Sequence, residues 1–223
     1  MINNDFNESL AIEKAGQPIA DAFYKDHLKA LDIRRYNWNN PHQRVLQKLD
    51  IDCAIELKAT GLDLFWLNIS EKFRRFDTGD MCIELWSDFE KKKLGWAAHK
   101  IGAMGPDYYL YVTPKHFFEV PRNRYFSSMM EKITEEWNWN KINEFVKEEE
   151  KKLGRTFEDN GCYKIKVDGH DAQLVKTWTT VGNKKWYGIC ICIPWKTLFN
   201  DYLLDINMYN RKYELLNINK EYE

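Results

Sequence analysis

No stretch of this 223-residue chain approaches the roughly 18–20 consecutive apolar residues that a membrane span requires, so no transmembrane segment is expected. The opening residues, MINNDFNESLAIEKAG, show neither a basic n-region nor an apolar h-region, and no secretion signal is expected. The five cysteines (Cys53, Cys82, Cys162, Cys190 and Cys192) are odd in number and include no CxxC pair. Three fall in strand-like runs, where a free thiol behaves as a small core residue. A reducing, cytoplasmic compartment is the natural expectation, and a zinc centre is not. The five histidines show no HxxxH or HxH spacing, which argues against a histidine-based metal centre. There is no GxxxxGK[ST] loop, no GxGxxG after a strand and no GxSxG elbow, so the common nucleotide-binding and serine-hydrolase readings fall away. Charge of one sign is also missing. Thirty-three Lys and Arg against 34 Asp and Glu leave a formal net charge of −1, which excludes a protein that coats nucleic acid by bulk electrostatics but not a basic cleft.

What is present is a chain 44% hydrophobic and 15% aromatic, with nine Trp and twelve Tyr, long enough for one sizeable core. Most of those aromatics are expected in the core, a minority on a surface that meets flat ligands. Residues 9–31 read as a helix, with Gln17-Pro18 opening its main part. Residues 34–41 read as a polar loop. Strands are expected at 51–57, 63–73 and 81–86, the first two as an antiparallel hairpin and the three as a meander. A short helix over 96–104 stops at Gly105-Pro106 and leads into a strand at 107–113. Further on, 122–151 reads as one or two helices broken near Trp137–Asn140. Strands follow at 162–167, 172–180 and 185–193, then a helix at 195–204. The order implies an α/β layer with a mixed sheet. A single domain over 1–223 is expected, with a core at 9–113 and a C-terminal α+β elaboration at 115–223.

Two stretches carry the chemistry: Leu49-Asp50-Ile51-Asp52 and Asn68-Ile69-Ser70-Glu71-Lys72-Phe73-Arg74-Arg75. Strand alternation puts Ser70 and Lys72 on one face and Glu71 on the other with the apolar set. Glu84, inside the apolar strand 81–86, needs a partner, because an unpaired carboxylate there is costly. Asp52, Ser70, Lys72 and Glu84 are thus expected to form one polar patch on a sheet. Its competing explanation is a structural Glu84–Lys72 ion pair.

The run from Gly16 to Thr113 resembles the PD-(D/E)XK nuclease superfamily, especially its compact phage-type members. The resemblance rests on Ser70-Glu71-Lys72, Thr78-Gly79, Ile83-Glu84, Gly95-Trp96 and Asp107-Tyr108-Tyr109, in that order. It implies a restriction-endonuclease-like mixed central sheet flanked by helices, and Mg²⁺- or Mn²⁺-dependent cleavage of DNA. It also implies Asp52 as metal ligand, Lys72 as the motif lysine and Asp21 as a helix acid. Ser70 departs from the family pattern, which expects an acid or Gln. Either Glu71 or Glu84 then supplies the second carboxylate, or the site is degraded and the fold binds nucleic acid or protein without cutting. Arg74 and Arg75 are expected phosphate contacts. A homodimer is a further expectation, and a membrane partner is not.

Overall fold

Two runs of alternating residues, Cys53–Lys58 and Leu64–Phe73, pair antiparallel with Cys53 opposite Ile69 and Lys58 opposite Leu64, as the hairpin expectation required. The computed structural model describes residues 4–37, 39–59, 61, 63–98, 105–156, 159–181 and 183–216. Its elements begin with β1 (Asn4–Asp5), α1 (Phe6–Ala22), β2 (Asp32–Arg35), α2 (Arg44–Lys48), β3 (Cys53–Lys58) and β4 (Leu64–Phe73). Next come β5 (Asp80–Asp88), β6 (Lys93–Leu94), β7 (Tyr108–Val112), β8 (His116–Pro121), α3 (Arg124–Glu136) and α4 (Trp139–Leu153). The last are β9 (Gly161–Val167), β10 (His170–Val181), β11 (Lys184–Pro194), α5 (Trp195–Asn200) and β12 (Asn207–Asn210). The class is mixed α/β, as expected, but with two sheets rather than one.

Packing divides the chain into two units. One comprises the described residues of Leu10–Thr78, Ile101–Phe126 and Leu203–Glu223. Its sheet runs β12-β8-β7-β4-β3-β2 and is antiparallel except between β4 and β7. That parallel pair requires a long crossover, and the chain between Phe73 and Tyr108 supplies it. The core of this unit lies between α1 and one sheet face: Ala20, Phe23 and Tyr24 pack with Cys53, Ile55, Ile69, Leu110, Val112 and Phe117. α1 runs unbroken through Pro18 and widens into a π-helical turn at Phe23–His27, where two pieces were expected. Burial of Ala20, Phe23 and Tyr24 outweighs the ~3 kcal/mol that an internal proline costs a helix. Gly16 faces the ring of Phe73 so closely that a Cβ there would lie 2.2 Å from it.

The other unit comprises the described residues of Met1–Ser9, Gly79–Lys100 and Ser127–Tyr202. Its sheet runs β1-β10-β11-β5-β6, with β9 also on β10. Asn138 separates α3 from α4 and caps α4 by accepting the Lys141 N–H, which is the break expected near Trp137–Asn140. Inside, the fully buried Lys176 ammonium is held by the Glu150 carboxylate.

Two expectations fail here. β5 pairs with β11 and β6, not with β4, so the three-strand meander does not form. Turn signals mark where a strand ends but not which sheet receives the next one. Strand pairing crosses the expected division near residue 114, since β7 pairs with β8 and β5 with β11. The expected helix over 96–104 is a 3₁₀ turn at Trp96–Ala98, and its remainder lies outside the described residues.

Candidate functional site

The site begins where α2 stops. The Ile51 N–H reaches back to Leu46 O (3.0 Å) and the Asp50 N–H to Gln47 O (3.1 Å), the paired bonds of a Schellman motif. The position this motif makes left-handed is Asp50, at φ +61°, where glycine is the usual occupant. Two residues on, Asp52 leads into β3, its N–H bonded to Ile69 O and its own carbonyl accepting the Tyr36 N–H, both at 2.9 Å. A helix cap and a strand start therefore deliver two carboxylates two residues apart.

β4 delivers the rest, and its contacts follow the expected alternation. The Ser70 hydroxyl, fully buried, donates to Asp50 Oδ2 at 2.8 Å and lies 3.4 Å from Asp52 Oδ2. The Lys72 ammonium donates to Asp50 Oδ1 at 2.7 Å. Asp52 Oδ2 also accepts the Glu71 N–H at 2.7 Å, which fixes its carboxylate against the strand. Burial and then the Asp50 charge push the Asp52 carboxyl up to about 6, against the pull of Lys72. Two acids sharing one lysine in a half-buried corner are short of positive charge.

Glu71 points the other way, towards α1. Arg35 grips it with two nitrogens, Nη1 on Oε2 at 2.8 Å and Nη2 on Oε1 at 3.1 Å. The Tyr24 hydroxyl donates to Oε1 at 2.9 Å; burial and then the Glu71 charge raise its pKa and keep that proton on. Arg35 also bonds Asp21 Oδ1 at 2.7 Å and the Gln17 carbonyl at 3.1 Å. Glu71 and Asp21 are thus brought together, but around an arginine in the helix–sheet seam. Neither shares the Ser70–Lys72 face, so Glu71 does not join Asp52 as a second carboxylate.

Glu84 sits on β5, opposite Cys190 in the other sheet, and its Oε2 accepts the Trp96 N–H at 3.3 Å. The patch of Asp52, Ser70, Lys72 and Glu84 on one sheet is therefore not formed; Asp50 takes the place expected for Glu84. Arg74 continues the Ser70–Lys72 face. Its Nε donates to the Tyr111 hydroxyl, and its guanidinium lies 5.1 Å from that ring's centroid. Arg75 is exposed and lies over Phe76 at 5.3 Å.

The sequence places Asp50 in one of its two chemistry-bearing stretches but assigns it no role, and it assigns none to Arg35. Asp50 carries a signal, an acid directly after a short helical run, but α2 is too short to show a periodicity of its own. Arg35 stood in a stretch read as loop, and its role depends on β2 pairing with β3.

The donors on the Ser70 face are hard oxygens, which suit Mg²⁺ or Mn²⁺ and not a soft metal. Among the described residues no cluster of three or more His, Cys, Asp or Glu is arranged to hold a metal. The face offers two carboxylates, and Mg²⁺ commonly takes only one or two from a protein, with waters and substrate phosphate completing its shell. The residues therefore fit such an ion in number and in kind. No family model, curated protein or solved structure matches this chain.

Proposed function

We propose that the Asp50–Asp52–Ser70–Lys72 face is the centre of a divalent-metal-dependent phosphodiesterase acting on nucleic acid, DNA in the first instance. One observation carries the reading: two carboxylates and a lysine, from a helix cap and two adjacent strands, converge on the buried Ser70 hydroxyl. The mixed sheet, with its Asp at the head of one strand and its lysine near the end of the next, supports a restriction-endonuclease-like architecture. When bound, a Mg²⁺ or Mn²⁺ ion supplies Lewis-acid polarisation of the phosphoryl group and an acidified water. Asp50 and Asp52 hold positions for that ion, and the Glu71 N–H and Ser70 hydroxyl keep both carboxylates turned inward. Lys72, 2.7 Å from Asp50, offsets charge on the phosphoryl oxygens and orients the attacking water.

Cleavage of a DNA panel in Mg²⁺ by wild type, and its loss in Asp52→Ala and Lys72→Ala, is the expected outcome. Full activity in both variants overturns the proposal. A second reading, a nuclease-like fold that binds nucleic acid or protein without cutting, is favoured by Ser70 itself. Its neutral hydroxyl stands where an acid would be a stronger ligand. A thermal-shift titration separates the two: Mn²⁺ stabilises wild type but not Asp52→Asn if the site takes a metal, and neither if it does not.

A further inference from the structure

β2, β3 and β4 carry a second chemistry on the face that holds Ser70 and Lys72. The register sets Arg34 opposite Ala54, Ala54 opposite Asn68, and Glu56 opposite Trp66. Arg34, Ala54 and Trp66 therefore share that face with Asn68 and Ser70. Arg34 reaches diagonally across the small Ala54 and lays its guanidinium 4.0 Å from the centroid of the Trp66 ring. Its Nε also meets Asp32 Oδ2 at 3.4 Å. The Arg34 side chain is nonetheless 63% exposed, so the guanidinium that covers the indole is itself largely open to solvent. Leu64, two residues from Trp66 on the same face, is exposed as well. The plain explanation is a surface cation–π contact that steadies the sheet edge. Exposed contacts of that kind, and exposed ion pairs, contribute little to stability, so the fold alone does not account for the stack.

We propose that the Arg34–Trp66 stack is a platform for one unpaired base of a single-stranded nucleic acid whose backbone runs along β4 to the Ser70–Lys72 face. The platform rests on the phosphodiesterase reading above and narrows its substrate to strands with an unpaired base near the cut. Trp66 is four residues from Ser70, about 13 Å between α-carbons along the strand. The platform thus lies outside the corner of Asp50 and Asp52 and takes a neighbouring nucleotide, not the scissile one. Guanidinium planes and aromatic rings both take bases by stacking, and neither demands a particular sequence. An arginine already held flat by an indole and a carboxylate has less side-chain freedom to lose when a base settles on it. Around the stack, Asp32 and Glu56 balance Arg34 and Lys58 in charge, so the patch offers stacking rather than phosphate contact. A base inside a duplex has both faces covered by its neighbours and does not fit.

The test is an abasic scan on the full chain. Fluorescent single-stranded DNA oligonucleotides, each lacking one base, are cleaved in Mg²⁺, and product lengths give the distance from the missing base to each suppressed cut. Wild type is expected to lose about five- to 150-fold in kcat/KM at one fixed distance from the gap, and little elsewhere. Trp66→Ala is expected to cut the intact strand as slowly as wild type cuts the gapped one, with no fixed-distance suppression left. Trp66→Phe keeps a ring and most of the effect, whereas Arg34→Lys, at an exposed position, keeps the charge and loses it. Binding in EDTA reads the platform without cleavage. There Trp66→Ala weakens single-strand binding with its log–log salt slope unchanged, and wild type prefers a single strand to its duplex. Trp66→Ala and Arg34→Lys that match wild type on intact and gapped strands, with circular dichroism retained, overturn the platform. So does a duplex bound as tightly as a single strand. If wild type cuts with no suppression at any distance, the platform alone fails. If it cuts nothing while its binding in EDTA depends on Trp66, the phosphodiesterase reading alone fails. If it neither cuts nor binds any oligonucleotide, both fail together.

Discussion

Asp50 occupies a backbone conformation that an L-residue adopts at a cost of roughly 1–2 kcal/mol. This yields an unusual ordering of variants. Asp50→Gly and Asp50→Ala both remove the carboxylate, yet the glycine variant is expected to be more stable in urea by about 1 kcal/mol, because only it relaxes φ +61°. Equal stabilities would show that the cap is not strained. Asp52 makes a pH prediction. An acid whose folded pKa is raised, here to about 6 from 3.8, contributes most to stability below about pH 4 and loses that contribution as pH rises through 6. In EDTA at pH 7, Asp52→Asn is therefore expected to be more stable than wild type by up to ~3 kcal/mol. The gap closes towards pH 4, as urea denaturation at a series of pH values will report. That Ser70 and Lys72 share a face, with Asp52 beside Ser70, was legible because alternation along a strand is a local property. Glu84 was misassigned because the charged residue in an apolar strand was recognised correctly, while its sheet was set by pairing with β11, far along the chain.

At the scale of elements, the seam between α1 and β4 decides how firmly Lys72 is held. Gly16→Ala should gain up to ~1 kcal/mol of helix propensity, but its Cβ meets the Phe73 ring at 2.2 Å. Overpacking of that kind costs ~1–3 kcal/mol, so net destabilisation is expected in a thermal melt. Arg35→Ala leaves Glu71, whose side chain is only 2% exposed, without its bidentate partner. A loss of ~3–5 kcal/mol is expected, and Arg35→Ala/Glu71→Gln together should recover much of it. Non-additivity in that cycle is the measurement; simple addition would remove the ion pair from the account of the fold. The long periodic elements, α1, α4, β4 and β9 to β11, were readable because each repeats its pattern over several residues, and the short β3 through the turn that pairs it with β4. β2, β8, β12 and α2 were not, being only four to six residues long and defined by their neighbours rather than by their own periodicity.

Across the whole molecule, each unit is assembled from three separate stretches of chain, so neither is obtained by a single cut. Ending the chain at residue 202 removes β12 and the buried Leu204, Ile206, Met208 and Tyr209 from the sheet that carries Asp52 and Lys72. That variant is expected to lose the Mn²⁺-dependent thermal shift although no site residue is deleted; retention of the shift would show that β8 makes an adequate sheet edge. The arrangement was hidden from the sequence because β12 carries no signal of its destination. Its pairing with β8 joins Asn207 to Glu119, 88 positions apart. On a ribosome adding about 5–20 residues per second, β8 emerges some 5–20 s before the strand that covers it. For that interval the edge of the sheet that carries Asp52 and Lys72 is open to any other extended segment, and the nascent chain carries several. Completion of the site is therefore timed by the last strand to be made, and conditions that slow synthesis over the intervening stretch lengthen the period in which mispairing competes with folding.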